Sequence, residues 1–375
     1  MKRTDFSRVI VTGDVLRPVA TAKRSSQTVN IQWINHLLRW QLQQATGVAP
    51  EILCWGPGGF DTEGFYALAR HRLSIQGWAA LSASTDVPRA ALEYVRACFD
   101  GAVVISFENN PLLRRCLAAL DIPYVDMVTH PARFMDDIFF GFATNVPAIF
   151  DRLKAKRIPE GLLYAQAGLL QAGLARLSPT LPADVDVLLA GQMPDDRSVI
   201  AKGRLVNFGH FREEVRSLWR GSNRIALKMH PYNRSDFGLY ATGLPLHATM
   251  PTRENFYRLL SEPGLKRVCS VSSSTCYEAR YFGKEHAYFY KPPFRLVESN
   301  VEEHCPDAYV GVMNGFLATD FWRDLLHPVA PTTPCDGVEP PRPPNQLRMS
   351  LRHFWGYNQV TTDLLVDAYN EGRNA

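Results

Sequence analysis

The feature that constrains this chain most is an alternation. Short aliphatic runs, each stopping on glycine or a polar residue, are separated by stretches whose apolar positions have helical spacing. The first run is RVIVTGDVL, starting at Arg8, and PEILCWG (50–56), GAVVISFEN (101–109) and IPYVDMVTH (122–130) repeat it. Between them, TVNIQWINHLLRWQLQQATG carries apolar residues three and four apart and a glycine stop, and RAALEYVRACF has similar spacing. Runs that are apolar at consecutive positions are buried on both faces. That predicts an α/β fold, a parallel sheet with helices packed on both sides.

The alternation occurs twice. A predominantly helical stretch from about Val146 to Leu177 ends in SPTLPAD, and a second series follows in VDVLLAG (185–191), RIALKMHP (224–231), KRVCSVSSS (266–274) and HAYFYKPPF (286–294). A chain of 375 residues has room for two cores, since single cores rarely grow past about 250–300 residues. The expected organisation is a first Rossmann-like domain over 1–180, a second over 181–327, and a connector with a C-terminal helix over 328–375. The connector, PVAPTTPCDGVEPPRPP, holds too many prolines for a helix or an interior strand.

A formal charge of +4 with scattered basic residues is no footprint of a nucleic-acid binder. It suits an anionic small substrate, or visits to an anionic membrane surface. The seven cysteines are widely spaced and contain no CxxC pair, which argues against a zinc site or a disulfide framework and favours a reducing compartment. No metal ligand set is expected. The apolar run after Lys2, Arg3 and Arg8 is too short for a signal peptide, and no stretch approaches the roughly 18 apolar residues of a spanning helix. The expectation is a cytoplasmic protein whose membrane contact, if any, is peripheral at the inner face.

Ligands of parallel sheets bind beyond the carboxyl ends of the strands, so the residues after each aliphatic run are the site candidates. GQMPDDRS presents Gln192 and the adjacent carboxylates Asp195 and Asp196, of which one is expected to face the crevice. KMHPYNR presents Lys228, His230 and Pro231; an imidazolium there could donate to a phosphate oxygen. Ser272, Ser273 and Ser274 precede the helix-like TCYEARYFG, in which Glu278 lies one turn along, placed to accept from ribose hydroxyls. In the first half, Glu108 follows a buried strand and could serve as general acid or base, and His130 and Arg133 share a later loop. Each has a plainer reading too: a solvated acidic turn, a serine cap, a glutamate capping the helix at Pro111, an ion pair of Arg133 with Asp136 or Asp137.

Taken together, GQMPDDRS, KMHP, SSSTCYEARYFGK and, more weakly, FEN and HPARFMDD resemble the retaining β-Kdo glycosyltransferases of bacterial capsule and O-antigen assembly, the KpsC and WbbB type. Similar His-Pro and serine motifs mark bacterial sialyltransferases, which also use CMP-activated sugars. The resemblance implies a GT-B-like fold, two Rossmann-type domains facing a central cleft. It implies transfer of Kdo from CMP-β-Kdo to a glycan or lipid-linked glycan acceptor in surface polysaccharide biosynthesis, alongside other polysaccharide transferases and without a metal. Asp196 falls on the nucleophile position, with Asp195 in reserve, and Glu108 on the acid/base glutamate. Gln192, His230, Pro231, Ser272, Ser273, Ser274 and Glu278 fall on nucleotide-binding positions, and Arg133 and Lys228 are cations for an acceptor or donor carboxylate. The resemblance spans roughly residues 100 to 290; no motif is placed in the first hundred. Two other functions fit the same residues: an inverting CMP-sialate-type transferase with aspartate as base, and a non-catalytic subunit of polysaccharide assembly.

Overall fold

The computed structural model describes residues 6–18, 27–230, 238–333 and 346–350. The first half runs through β1 (Arg8–Gly13), α1 (Thr28–Thr46), β2 (Glu51–Ile52), α2 (Thr62–Leu68), α3 (Ile75–Ala83), α4 (Arg89–Phe99), β3 (Ala102–Phe107), α5 (Pro111–Ala119), β4 (Tyr124–Thr129), β5 (Phe140–Thr144), α6 (Pro147–Ala155) and α7 (Glu160–Leu174). The second half begins with β6 (Val185–Ala190), the hairpin β7 (Ile200–Ala201) and β8 (Arg204–Leu205), α8 (Arg212–Arg220), β9 (Arg224–Lys228) and β10 (Thr249–Pro251). It continues through α9 (Phe256–Leu260), β11 (Arg267–Ser270), α10 (Ser274–Ala279), β12 (Glu285–Tyr288), β13 (Arg295–Leu296), β14 (Ala308–Val312), α11 (Thr319–Leu326) and α12 (Gln346–Ser350).

The strands form two main sheets. The second, β10-β9-β6-β11-β12, is parallel throughout. The first, β13-β14-β5-β4-β3-β1-β2, is parallel from β2 to β4, but β5 runs antiparallel to β4 and β14 antiparallel to β5. The expectation of a wholly parallel sheet fails there for a physical reason. A parallel return needs a crossover of about a dozen residues or more, and the loop from 130 to 139 between β4 and β5 is shorter and holds no helix. The architecture is GT-B-like: two Rossmann-like α/β units with a cleft between the carboxyl ends of their strands.

The unit boundaries differ from those expected. α7 lies before residue 180 but packs on the second unit, with Leu163 and Ala167 in the same core as Val185, Leu188, Leu259 and Phe282. Conversely, β13 and β14 lie before residue 327 but extend the first sheet, and Phe321, Trp322, Leu325 and Leu326 of α11 join the first core with Ile34 and Leu38 of α1. The chain crosses between units twice, between α6 and α7 and between β12 and β13, and neither SPTLPAD nor the proline-rich 328–344 marks a crossing. Most of the proposed tail, 334–345 and 351–375, lies outside the described residues.

In each sheet the strand order reverses direction at one place. In the first it lies between β1 and β3, in the second between β6 and β11. At such a point the connections leave in opposite directions and open a crevice. A glycine closes each opening strand. A Cβ on Gly13 would stand 2.7 Å from the Phe107 carbonyl oxygen, an approach that excludes any other residue, and one on Gly191 would stand 3.3 Å from Met229 Cα, a tight contact that a side chain would have to push apart. No helix among the described residues is long and apolar enough to cross a membrane.

Candidate active site

The two crevices face one another. Their shared cleft, about 140 Å³, is lined by Asp14, Arg17, Gln27, Trp78, Glu108 and Arg133 from the first unit. From the second come Gln192, Met193, Asp196, Arg197, Ser198, His230 and Ser272 to Ser274, with Pro293 and Phe294 from the segment that crosses back.

The second unit's wall is one hydrogen-bonded assembly. After β6, Gln192 is buried and its amide bridges two loops: Nε2 donates to Ser198 Oγ at 3.0 Å, and Oε1 accepts from Ser272 N–H at 2.9 Å. Ser272 Oγ in turn donates to the Ser198 carbonyl at 2.7 Å. Asp196 caps the short turn over Arg197–Val199, its Oδ1 accepting from Ser198 N–H at 2.8 Å. The spacing Gln-x-x-x-Asp-x-Ser thus has a mechanical meaning: Gln192 and Ser198 tie the loop to Ser272, and the tied loop aims Asp196. Ser273 caps α10, accepting from Thr275 N–H at 3.3 Å.

The two aspartates point apart, as their adjacency requires. Asp195 leaves the cleft for Arg17, whose Nη2 is 3.2 Å from Asp195 Oδ2 and donates to its carbonyl at 2.9 Å. It serves as a tie between units, while Asp196 faces the cleft.

His230 follows β9 and lines the cleft, but not as the expected imidazolium. Burial, assisted by Arg133, holds it down to about 4, with Asp196 opposing. At neutral pH it is a neutral imidazole with one N–H to donate. Pro231 lies outside the described residues. Lys228 is not brought to the cleft wall: its Nζ donates to the Glu254 carbonyl at 2.5 Å. Glu278 is also absent from that wall. It is buried at 3 % exposure, accepting from Arg133 N–H at 2.8 Å and Tyr257 O–H at 2.9 Å. One turn into α10, the helix face carrying Glu278 packs against the first unit's loop, so its carboxylate reaches backbone instead of ribose. Burial pushes its pKa up to about 7. Arg133 takes its cleft position from this contact, while Asp136 accepts from Gln166 Nε2 at 3.0 Å and Asp137 accepts from the N–H groups of Leu347 and Arg348 at 3.0 and 2.9 Å. His130 is structural: buried at 3 %, stacked on Phe139 with centroids 4.1 Å apart, and accepting from Ala132 N–H at Nδ1.

On the first unit, Glu108 stands at φ +52°, a left-handed conformation that costs energy for a residue with a Cβ. Its surroundings hold it there. Glu108 N–H donates to the Met127 carbonyl at 2.7 Å, and Asn109 N–H to Asp126 Oδ1 at 3.0 Å. Asp126 is itself fixed by Ser106 Oγ at 2.8 Å and Tyr309 O–H at 2.7 Å. Asn110, not Glu108, caps α5, accepting from Leu112 N–H at 3.0 Å. Glu108 is thereby released from capping into the cleft, where burial raises its carboxyl, Arg197 opposes, and Asp196 adds to the rise.

Four cleft residues from the first hundred carry no motif. Asp14 follows β1; it is buried, accepts from Trp78 Nε1 at 2.8 Å, and burial pushes its carboxyl up. Arg17 stacks over Trp78 at 5.0 Å from the ring centroid, and Gln27 precedes α1. Arg197 closes the gap between units, its Nη1 donating to the Asn109 carbonyl at 2.7 Å and its guanidinium lying 5.7 Å from the Phe294 centroid. The post-strand rule that selected Glu108 selects Asp14 equally; the others had no local signal.

No family model matches the chain, and no curated protein does. Among solved structures, the chain is similar to Thermosulfurimonas dismutans KpsC, beta Kdo 2,7 transferase, at 12% identity over 64% of this chain and 81% of that one, with a TM-score of 0.34. It is also similar to Thermosulfurimonas dismutans KpsC, beta Kdo 2,4 transferase, at 18% identity over 60% of this chain and 80% of that one, with a TM-score of 0.34.

Proposed function

We propose that the chain is a retaining glycosyltransferase that moves Kdo from CMP-β-Kdo to a glycan acceptor. The observation that carries the reading is the meeting of Asp196, His230, Ser273, Ser274 and Glu108 around one cleft at the switch points of two facing sheets. They are among the residues that carry the sequence resemblance, Glu108 the more weakly.

The chemistry follows from their placement. The donor's anomeric carbon carries a carboxylate, and its leaving group is a phosphate monoester. Arg133 and the hydroxyls of Ser273 and Ser274 meet the anionic groups, and neutral His230 adds one N–H donor; as a phosphate arrives, its charge favours the imidazolium. With Arg133, two hydroxyls and an imidazole able to take up a proton facing it, the departing phosphate needs no metal in the proposed scheme. In the first displacement an Asp196 carboxylate oxygen bonds to the anomeric carbon as the carbon–oxygen bond to CMP breaks. Ser198 N–H holds Oδ1, which leaves Oδ2 as the attacking atom. In the second, the acceptor hydroxyl gives its proton to Glu108 and its oxygen takes the sugar from Asp196. A carboxylate of raised pKa is the better base for that step. Two displacements retain the anomeric configuration.

The test is mass spectrometry of protein mixed with CMP-Kdo alone. A mass increment of one Kdo on the peptide containing Asp196 is expected. Its absence under rapid quench, together with inverted product by NMR, would replace the scheme with a single displacement. Absence of any stabilisation by CMP, beside UDP and GDP controls, would remove the donor assignment itself.

A further inference from the structure

Beside the reaction cleft lies a larger basin of about 610 Å³. Arg197, Ser198, Pro293 and Phe294 line both, so the two cavities are immediate neighbours. The basin is unevenly charged: Arg114, Arg115, Arg197, Lys202, Lys291 and Arg295 face a single carboxylate, Asp307.

Half of these cations have structural duties. Arg114 pairs with Asp307 at 2.7 Å and with the buried Asp126 at 3.7 Å; Arg115 donates to the carbonyls of Ser82 and Ser84; Arg197 holds the Asn109 carbonyl. Lys202, Lys291 and Arg295 are exposed and form no ion pair among the described residues, though Lys291 lies over the Tyr290 ring at 5.1 Å and Arg295 Nη1 donates to Cys305 Sγ at 3.3 Å. Lys202 is also held in an unfavourable conformation, φ +48°, in the turn between β7 and β8, where glycine or asparagine is the ordinary occupant. The hairpin is seated against the first unit: a Cβ on the neighbouring Gly203 would stand 3.3 Å from Ala80 Cα in α3. Three aromatic rings, Tyr290, Phe294 and Tyr309, line the same basin. Tyr309 is buried and backs the wall, while the partly exposed Tyr290 and Phe294 stand beside cations that have no acidic partner, a lining that suits a sugar chain bearing acid groups better than a neutral one.

We propose that this basin is the acceptor subsite and that the acceptor glycan presents an acidic group to Lys202, Lys291 and Arg295. The inference rests on the transferase reading above and adds the chemical class of the second substrate.

Calorimetric titration of the full chain with trigalacturonate, maltotriose and glucose 6-phosphate tests it. Trigalacturonate is expected to bind at least about tenfold more tightly than maltotriose, and less tightly as salt is raised. In K202E/K291E that affinity is expected to fall about tenfold, as reversal of two exposed charge contacts allows, while stabilisation by CMP persists. R295A, a milder change, should weaken trigalacturonate in the same direction. Binding of glucose 6-phosphate but not trigalacturonate, lost in K202E/K291E, would support the proposal with a phosphoryl group as the acid. Equal binding of maltotriose and trigalacturonate, unchanged affinity in both variants, or no binding of either anionic probe would overturn it. Failure of CMP to stabilise the protein would instead strike the donor reading, so the two failures are told apart.

Discussion

The two walls of the cleft are assembled by different means. On the second unit, Gln192, Ser198 and Ser272 are bonded side chain to side chain and side chain to backbone, and that assembly aims Asp196. On the first, Glu108 is held by backbone geometry over a buried Asp126, Asp14 by Trp78, and Arg17 by a partner on the opposite unit. A wall tied by side chains of defined spacing leaves a motif in the sequence. A wall held by backbone turns and long-range packing leaves almost none. In the proposed mechanism the first of these makes and breaks the sugar bond, and the second moves the proton.

Substitutions can break that division of labour. The largest effect is expected from D196N, which keeps the cap to Ser198 N–H but removes the nucleophile: transfer should fall by at least about a thousandfold, with no adduct. If D195N falls as far, the assignment of the two aspartates is reversed. E108Q should slow transfer about a hundredfold or more while the adduct still forms and accumulates, so quenched mass spectrometry separates the walls directly. Q192A should lower kcat roughly tenfold to a hundredfold by loosening the loop that aims Asp196, with a stability loss of about 1–3 kcal/mol from the unpaired Ser272 N–H. A large stability loss with unchanged kcat would make Gln192 merely structural.

The smallest effect on activity is expected from E278Q, and it is read as pH dependence. Burial raises Glu278 to about 7 in the folded chain, so between its unfolded value near 4.5 and pH 7 the folded state binds the extra proton, and this group adds stability as pH falls. His130, depressed to about 3, and His230, to about 4, act oppositely: below about 6.5 the unfolded chain takes the protons, and stability is lost as pH falls. The two effects oppose each other in the wild type. E278Q should therefore be more stable above pH 7, by on the order of 1–3 kcal/mol, and its melting temperature should drop more steeply on acidification. Equal slopes for the two proteins would show that Glu278 is not buried against Arg133 as described.

Legibility in the sequence followed the same division. Helices with a clear stripe and stop, such as α1 ending at Gly47 in a left-handed conformation, φ 75°, lie where their spacing predicts. The strands buried on both faces, β1, β3, β4 and β6, are equally plain. Glu278 was misplaced because its position on α10 fixes a helix face but not what packs against that face. Lys228 was misplaced because a residue at a strand's end can turn to a neighbouring loop as readily as to the crevice. Arg197 was visible as a residue and not as a site, since its partner carbonyl lies 88 residues away.

By itself, the sequence determined two alternating α/β series, the post-strand positions at which ligands collect, and the Gln192-to-Ser198 loop, because these depend on periodicity and on contacts a few residues apart. Only the tertiary structure decided which aspartate faces the cleft, that α7 serves the second unit while β14 and α11 serve the first, that His230 is neutral, and that Asp14, Arg17, Gln27 and Trp78 complete the opposite wall. Those outcomes depend on desolvation and on pairings across tens to hundreds of residues, and such pairings exist only once both sheets have formed and met.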